Sequence, residues 1–223
     1  CVPAAVLDRA RGVLLGQCAG DSLGSLVEFL SPEAIAERYP AAEEDAPGPH
    51  HLADGGTFGT IAGQPTDDTE MALLLARSIV AARDYDADAV HSAYRWWLDS
   101  EPFDAGTTIS GALAGRPNPE SQANGALMRV SPLGIWGAGL QFAETGPEGQ
   151  TKGLGQADAA QPGSETGVGV NSRPGAHTRL THAARRDAEL THVHPNCAAV
   201  NVLFVEAIAG AIVKPQSTPQ VTY

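Results

Sequence analysis

Apolar residues recur at three- and four-residue spacing in every well-patterned stretch of this chain, and no stretch sustains the period-two alternation of a half-buried strand. The clearest case is Cys197, Val200, Phe204, Ile208 and Ala211, one stripe behind Pro195. A helix accepts proline in its first turn, where N–H groups have no intrahelical acceptor. Val6, Ala10, Val13, Leu14 and Cys18 form a second stripe, and Met71, Leu74, Leu75, Ser78, Ile79 and Ala82 a third. The periodicity predicts helices near 4–19, 67–83, 87–98, 104–114, 124–136 and 196–213. With no strand signal and no internal repeat, the expected fold is all-α. A chain of 223 residues buries one sizeable core, so a single domain over 1–223 is expected.

Thr66-Asp67-Asp68-Thr69-Glu70 stands where the proline-led loop Gly63-Gln64-Pro65 turns into the third stripe. Two readings compete for it. Asp67 and Glu70, three residues apart, match an N-terminal capping box, and acidic groups in a first turn complement the helix dipole. Adjacent carboxylates and hydroxyls at a helix start are also the all-oxygen ligand set that suits Mg²⁺ or Mn²⁺. Upstream, Gly16-Gln17-Cys18-Ala19-Gly20-Asp21-Ser22-Leu23-Gly24-Ser25-Leu26-Val27-Glu28-Phe29 ends in a carboxylate among apolar residues. Glu28 there is either a solvated helix end or a carboxylate held beside a partner.

A formal charge of −12 argues against non-specific nucleic-acid binding, because a phosphate backbone rewards Lys and Arg. No apolar run of membrane-spanning length stands out, so no membrane partner is expected. Cys1, Cys18 and Cys197 form no C-x-x-C pair and are odd in number, which points to a reducing cytoplasm. The N-terminal segment lacks the basic region and cleavage site of a signal peptide, and the missing initiator Met suggests a trimmed chain. Between Glu144 and Arg179 the large aliphatic residues are Leu154, Val168 and Val170, too few to offset the entropy of ordering that stretch. A disordered insertion near 143–185 is expected, with Lys152 and Arg173 as cleavage points for trypsin.

Five blocks in order resemble the ADP-ribosylglycohydrolase family, which includes ADP-ribosyl-acceptor hydrolases and dinitrogenase reductase-activating glycohydrolases. They are the Gly16–Phe29 and Thr66–Glu70 segments, then Ser100-Glu101-Pro102-Phe103-Asp104-Ala105-Gly106-Thr107-Thr108, then Ser121–Gly134 with its Asn124-Gly125-Ala126-Leu127-Met128-Arg129 run, and Asp187-Ala188-Glu189-Leu190-Thr191-His192. The resemblance covers about residues 5–140 and 186–223 and implies a compact helical domain that hydrolyses ADP-ribosyl conjugates, of protein or small molecule, with two Mg²⁺ (Mn²⁺ also suits the ligands). By the same resemblance Thr66, Asp67 and Asp68 would hold metal, Glu28 would handle the proton or water, and Asp104, Gly106, Asn124, Gly125 and His192 would meet the substrate. The late Asp-x-Asp-Thr or Asp-x-Asp-Ser motif that completes the family's metal site does not occur before Tyr223. The chain therefore resembles a C-terminally truncated member. It is expected to be either a Mg-assisted hydrolase, inactive in this short form, or a non-catalytic ADP-ribose-binding remnant.

Some residues carry an ordinary reading beside the one implied. Asn124 and Gly125 form a turn whose N–H groups would take a pyrophosphate, or a plain helix cap. Arg129 is expected either at the site or paired with a buried carboxylate such as Asp21. His192, His194 and Cys197 invite a zinc reading, disfavoured because no fourth ligand follows at a usual spacing. Trp96, Trp97 and Trp136 are expected to serve packing.

Overall fold

Wherever large apolar residues repeat at helical spacing, the computed structural model of the protein, which describes residues 2–41, 48–145 and 174–214, is helical. In chain order the elements are α1 (Ala4–Gly24), α2 (Pro32–Arg38), α3 (Asp67–Ala82), α4 (Ala87–Asp99), α5 (Thr107–Leu113), a 3₁₀ turn (Asn124–Ala126), α6 (Ser131–Thr145), α7 (Ala176–Glu189) and α8 (Pro195–Val213). No strand forms among the described residues, and the one bridge there joins Gly55 and Thr60. The all-α expectation holds.

The core is one large cluster, with a small second one of Ala126, Ala188 and Ala198. Met71, Leu75 and Ile79 of α3 meet Val90, Tyr94 and Trp97 of α4, then Ile109 and Leu113 of α5, Leu133 of α6, Leu180 of α7 and Val205 and Ile212 of α8. Helices α6, α7 and α8 pack against one another, and α1 lies across α3, α6 and α8. Gly134 and Gly137 allow the close approach of α6. A Cβ on Gly134 would fall 2.5 Å from Ile208 Cγ2, and one on Gly137 2.5 Å from Leu180 Cδ2.

Several expected boundaries move, each for a local reason. The helix predicted over 124–136 is broken into the 3₁₀ turn and α6, because Pro132 has no N–H to return to the Met128 carbonyl. That carbonyl accepts instead from Gln17 Nε2 of α1, at 2.8 Å. The expected 104–114 helix contracts to 107–113, and α1 runs five residues past its predicted end at 19, to Gly24. The short α2 was not foreseen; the Ser31 hydroxyl caps it by accepting from Ala34 N.

Helix α7 was also missed, and it lies largely inside the stretch expected to be a disordered insertion near 143–185. That expectation fails for 143–145 and 176–185, which are helical. The buried face of α7 is Ala176, Leu180, Ala183, Ala184, Asp187 and Ala188, with Leu180 its one large aliphatic residue. A stripe made of alanine carries little hydrophobic signal, although alanine is the best helix former. Residues 146–173, with Lys152 and Arg173, lie outside the described residues.

Helix α8 is long and apolar enough, by length and composition, to cross a bilayer, so the expectation that no apolar run reaches membrane-spanning length fails. It nevertheless packs as a core helix: Cys197, Ala198, Asn201, Val205, Ala209 and Ile212 are buried, and it contacts α6, α7 and α1. Of the three tryptophans, Trp97 is buried and Trp136 lies under the Arg179 guanidinium at 5.2 Å, whereas Trp96 is largely exposed and does not pack as expected.

Candidate active site

The acidic start of α3 is held from outside by α1. Asp21 accepts from the Thr66 N–H (3.1 Å to Oδ1, 3.0 Å to Oδ2), from the Thr66 hydroxyl at 2.6 Å and from the Thr69 N–H at 3.0 Å. A carboxylate from another helix thus supplies the cap that α3's own residues do not. The capping box expected of Asp67 and Glu70 does not form. Thr66 is the N-cap and makes no side-chain capping bond, and Glu70 Oε2 instead accepts from Trp97 Nε1 at 2.7 Å. The side chains of Asp67 and Asp68 are therefore left for a cleft of about 390 Å³, which they line with Glu28 and Asp104.

Gly106, Thr107, Thr108, Asn124, Gly125 and His192 line the same cleft. Eight of the nine residues singled out from the sequence thus line one cleft. The ninth, Thr66, is buried, its hydroxyl proton directed to Asp21 and only its oxygen lone pairs uncommitted. Asn124 is not a helix cap. Ala123 holds that position, and the Asn124 carbonyl accepts from Leu127 N at 2.7 Å and Met128 N at 3.0 Å.

Electrostatically the cleft is an unneutralised anion cluster. Burial, then the charges of Asp104, Asp68, Glu28 and Asp21, push Asp67 up to about 7. Burial and Asp21 push Asp68 up to about 6. Glu28 and Asp104 are raised as well, chiefly by burial and then by neighbouring carboxylates. Among the described residues no Lys or Arg lines the cleft. Such an arrangement favours a bound cation over bare ionisation. The oxygen donors of the cleft are of the kind Mg²⁺ takes, but among the described residues no three Asp, Glu, His or Cys side chains are arranged to hold a metal ion. The same observation dismisses zinc at His192, His194 and Cys197. His194 Nδ1 caps α8 by accepting from Asn196 N, and Cys197 Sγ lies 3.8 Å from the Ser121 carbonyl.

His192 is fully buried, with burial and then Arg129 pushing it down to about 4, so it is a neutral imidazole at ordinary pH. Its Nδ1 is hydrogen-bonded to the Thr191 hydroxyl at 2.9 Å, while Nε2 is buried without a partner. An unpaired buried ring nitrogen at a cleft wall suits a ligand's polar group.

Behind this wall stands Arg129, whose partner is Asp187 rather than the expected Asp21. Arg129 Nε donates to Asp187 Oδ2 at 3.2 Å and Nη2 to the Asp187 carbonyl at 2.9 Å, with both side chains fully buried. Its Nη1 donates to the Gly125 carbonyl at 3.2 Å, tying the 124–126 turn to the core. A Cβ on Gly125 would meet Ile109 Cδ1 at 2.9 Å and His192 Cε1 at 3.0 Å, so only glycine lets the turn sit this close to the imidazole.

Sequence reasoning missed the positioning role of Asp21 and the loop that closes over Glu28. There Thr57 Oγ1 donates to the Glu28 carbonyl at 2.8 Å, and Gly56, at φ +74°, sits where a Cβ would fall 2.2 Å from the Ser25 carbonyl oxygen. Gly56→Ala is expected to destabilise the protein by ~1–3 kcal/mol, more than Gly59→Ala, where φ is also positive but the space is open. Thermal melts of the two variants check this; equal losses would mean that backbone conformation alone, and not contact with α1, requires Gly56.

A family model described as ADP-ribosylglycohydrolase matches residues 2–222. The chain is 36% identical over 140 residues to the ADP-ribosyl-[dinitrogen reductase] glycohydrolase of Rhodospirillum rubrum, covering 58% of this chain and 45% of that protein. It is 32% identical over 151 residues to the ADP-ribosylarginine hydrolase Tri1 of Pseudomonas putida (strain GB-1), covering 60% and 38%. A solved structure titled ADP-ribosylglycohydrolase-related protein complex superposes with a TM-score of 0.61 at 23% identity, over 94% of this chain and 58% of that one, which shows a shared fold. The matches thus span less than half the length of these two curated relatives.

Proposed function

The chain belongs to the ADP-ribosylglycohydrolase family, and from that premise we propose that its cleft binds the ADP-ribosyl group of a modified protein or small molecule and serves to hydrolyse the glycosidic bond to the acceptor. The observation that supports this reading is the release of Asp67 and Asp68 from helix capping by Asp21, which leaves two raised carboxylates lining one cleft with Asn124, Gly125 and His192.

Bond cleavage at an anomeric carbon passes through an oxocarbenium-like state, so a hydrolase must hold the ribose, stabilise positive charge and manage one proton. Thr66, Asp67 and Asp68 would hold Mg²⁺, or Mn²⁺. When bound, the metal would polarise the ribose hydroxyls and orient water. Glu28, its acidity weakened by burial and by Asp104 and Asp68, is suited to take a proton from water or give one to the leaving group. The opening N–H groups of the Asn124–Ala126 turn have no acceptor within it and would meet the pyrophosphate. His192 Nε2 offers the ligand one further polar contact. Asp104 and Gly106, which line the same cleft, would meet the ribose.

The test is calorimetry of this chain with ADP-ribose, with and without Mg²⁺. Binding in the micromolar to millimolar range is expected, and Asn124→Ala should weaken it about fivefold by removing one polar contact of ~1 kcal/mol. No heat from folded protein at millimolar ADP-ribose would end this reading. Release of ADP-ribose from ADP-ribosylarginine then separates the hydrolase from the alternative, a non-catalytic ADP-ribose-binding protein.

A further inference from the structure

Thr191 and His192, consecutive and both fully buried, share one hydrogen bond whose direction decides what the cleft offers a ligand. The hydroxyl and Nδ1 lie 2.9 Å apart, and this is the one hydrogen bond of Thr191 Oγ1 among the described residues. Of the two residues, His192 lines the cleft. Its Cε1, the ring carbon bonded to both nitrogens, sits so near Gly125 that a Cβ there would fall 3.0 Å away, and Nε2 is buried without a partner. The ring is therefore fixed in place with one nitrogen committed and one free.

A neutral imidazole carries one proton, on either nitrogen, and the choice follows from counting the bonds left unmade. If Nδ1–H donated to Oγ1, the Thr191 hydroxyl proton would be buried without an acceptor and the Nε2 lone pair without a donor. If the hydroxyl donates to Nδ1, only Nε2–H is left over. Unpaired buried polar groups are costly, so the second arrangement is favoured by one whole group. The donor that remains belongs to the residue lining the cleft, where an incoming ligand can reach it. We propose that Thr191 is a positioning residue: its hydroxyl holds His192 as the Nε2–H tautomer, so that the ring meets the ADP-ribosyl group as a neutral donor to an oxygen acceptor. The proposal rests on the ADP-ribosyl reading of the same cleft. With its proton on Nε2 the ring also has no lone pair there to offer a cation held by the nearby carboxylates.

Long-range proton–nitrogen correlation spectra of the ligand-free protein, with His192 assigned by the signals lost in His192→Gln, read the tautomer directly. The wild type should carry the proton on Nε2 and show an unprotonated Nδ1 that accepts a hydrogen bond. Thr191→Val, which keeps the shape and removes the hydroxyl, should shift the Nδ1 resonance towards that of a nitrogen with no donor. It should also weaken ADP-ribose binding about fivefold, the worth of one polar contact, and Thr191→Ser should restore both readouts. A proton on Nδ1 in the wild type overturns the proposal, whether or not the variants fold. So does a folded Thr191→Val protein whose Nδ1 resonance or ADP-ribose affinity is unaltered. Failure of the wild type to bind ADP-ribose removes the underlying reading and the ligand's part of the proposal with it, while the spectra still decide the tautomer that Thr191 imposes.

Discussion

Asp187→Ala is expected to destabilise the protein by ~3–5 kcal/mol, the usual cost of stranding one member of a fully buried ion pair. Arg129 would keep its charge, with no carboxylate to receive Nε and only the Asp187 and Gly125 carbonyls to receive its remaining donors. Tyr94 would lose the acceptor that its hydroxyl meets at 3.1 Å, although its ring would still lie 4.4 Å from the Arg129 guanidinium carbon. A single domain is stable by only ~5–15 kcal/mol, so much of the margin would go. Urea unfolding should show the loss as a lower midpoint. The double variant Arg129→Met with Asp187→Leu, which removes both charges and keeps volume, should recover at least half of it. ADP-ribose affinity should nonetheless stay low in the double variant, since the Gly125 carbonyl is then no longer held. A loss below ~1 kcal/mol in Asp187→Ala would show that the pair does not hold α7 to the 124–129 segment.

The second large effect concerns Asp67 in metal-free protein. Its folded value of about 7 lies above the ordinary 3.8, so its contribution to stability is fully present below the unfolded value and is lost as pH rises through about 7; Asp68 behaves likewise through about 6. At pH 8 both are ionised against Glu28, Asp104 and Asp21. Asp67→Asn should therefore stabilise the chelated protein at pH 8 by on the order of 2 kcal/mol, a figure that already discounts the shift for solvent at the cleft mouth, and the gain should shrink as pH falls and vanish below about pH 4. Taking the difference between variant and wild type cancels the other titrating groups. Mg²⁺ should reverse the order at pH 8, raising the melting temperature of the wild type and leaving Asp67→Asn unchanged. The effect of Mg²⁺ should fade as pH falls through about 7, where protons compete for the same oxygens. Were Asp67→Asn destabilising in chelated protein at pH 8, the unneutralised cluster would not exist as described.

The two predictions differ in how far they were legible beforehand. Asp67 and Asp68 stand side by side at the head of a strong apolar stripe, and adjacency survives folding, so their candidacy could be read directly. Arg129 and Asp187 lie 58 positions apart, and the sequence offered Asp21 as an equally good partner. What decided between them was geometry. Asp21 projects from the last turn of α1 onto four donor contacts at Thr66 and Thr69, while Asp187 projects from α7 into the core beside Tyr94. Phe29 gave no local sign of its left-handed backbone or exposed ring, because nothing in a single apolar residue after Glu28 announces either.

By itself the sequence determined the all-α class, the positions of the helices whose buried faces carry large side chains, and the residue types available for chemistry, since each depends on neighbours within a turn of helix. It did not reach α7, whose contact face is mostly alanine, nor the break between the 3₁₀ turn at Asn124–Ala126 and the start of α6 at Ser131. Only the tertiary structure decided that Asp21 caps α3, that Asp187 neutralises Arg129, and that Glu28, Asp67, Asp104, Asn124 and His192 face one another. Those pairings join residues remote in sequence, and each partner is selected by burial: a charge or donor removed from water must take whichever acceptor the packing of distant helices brings within hydrogen-bond reach.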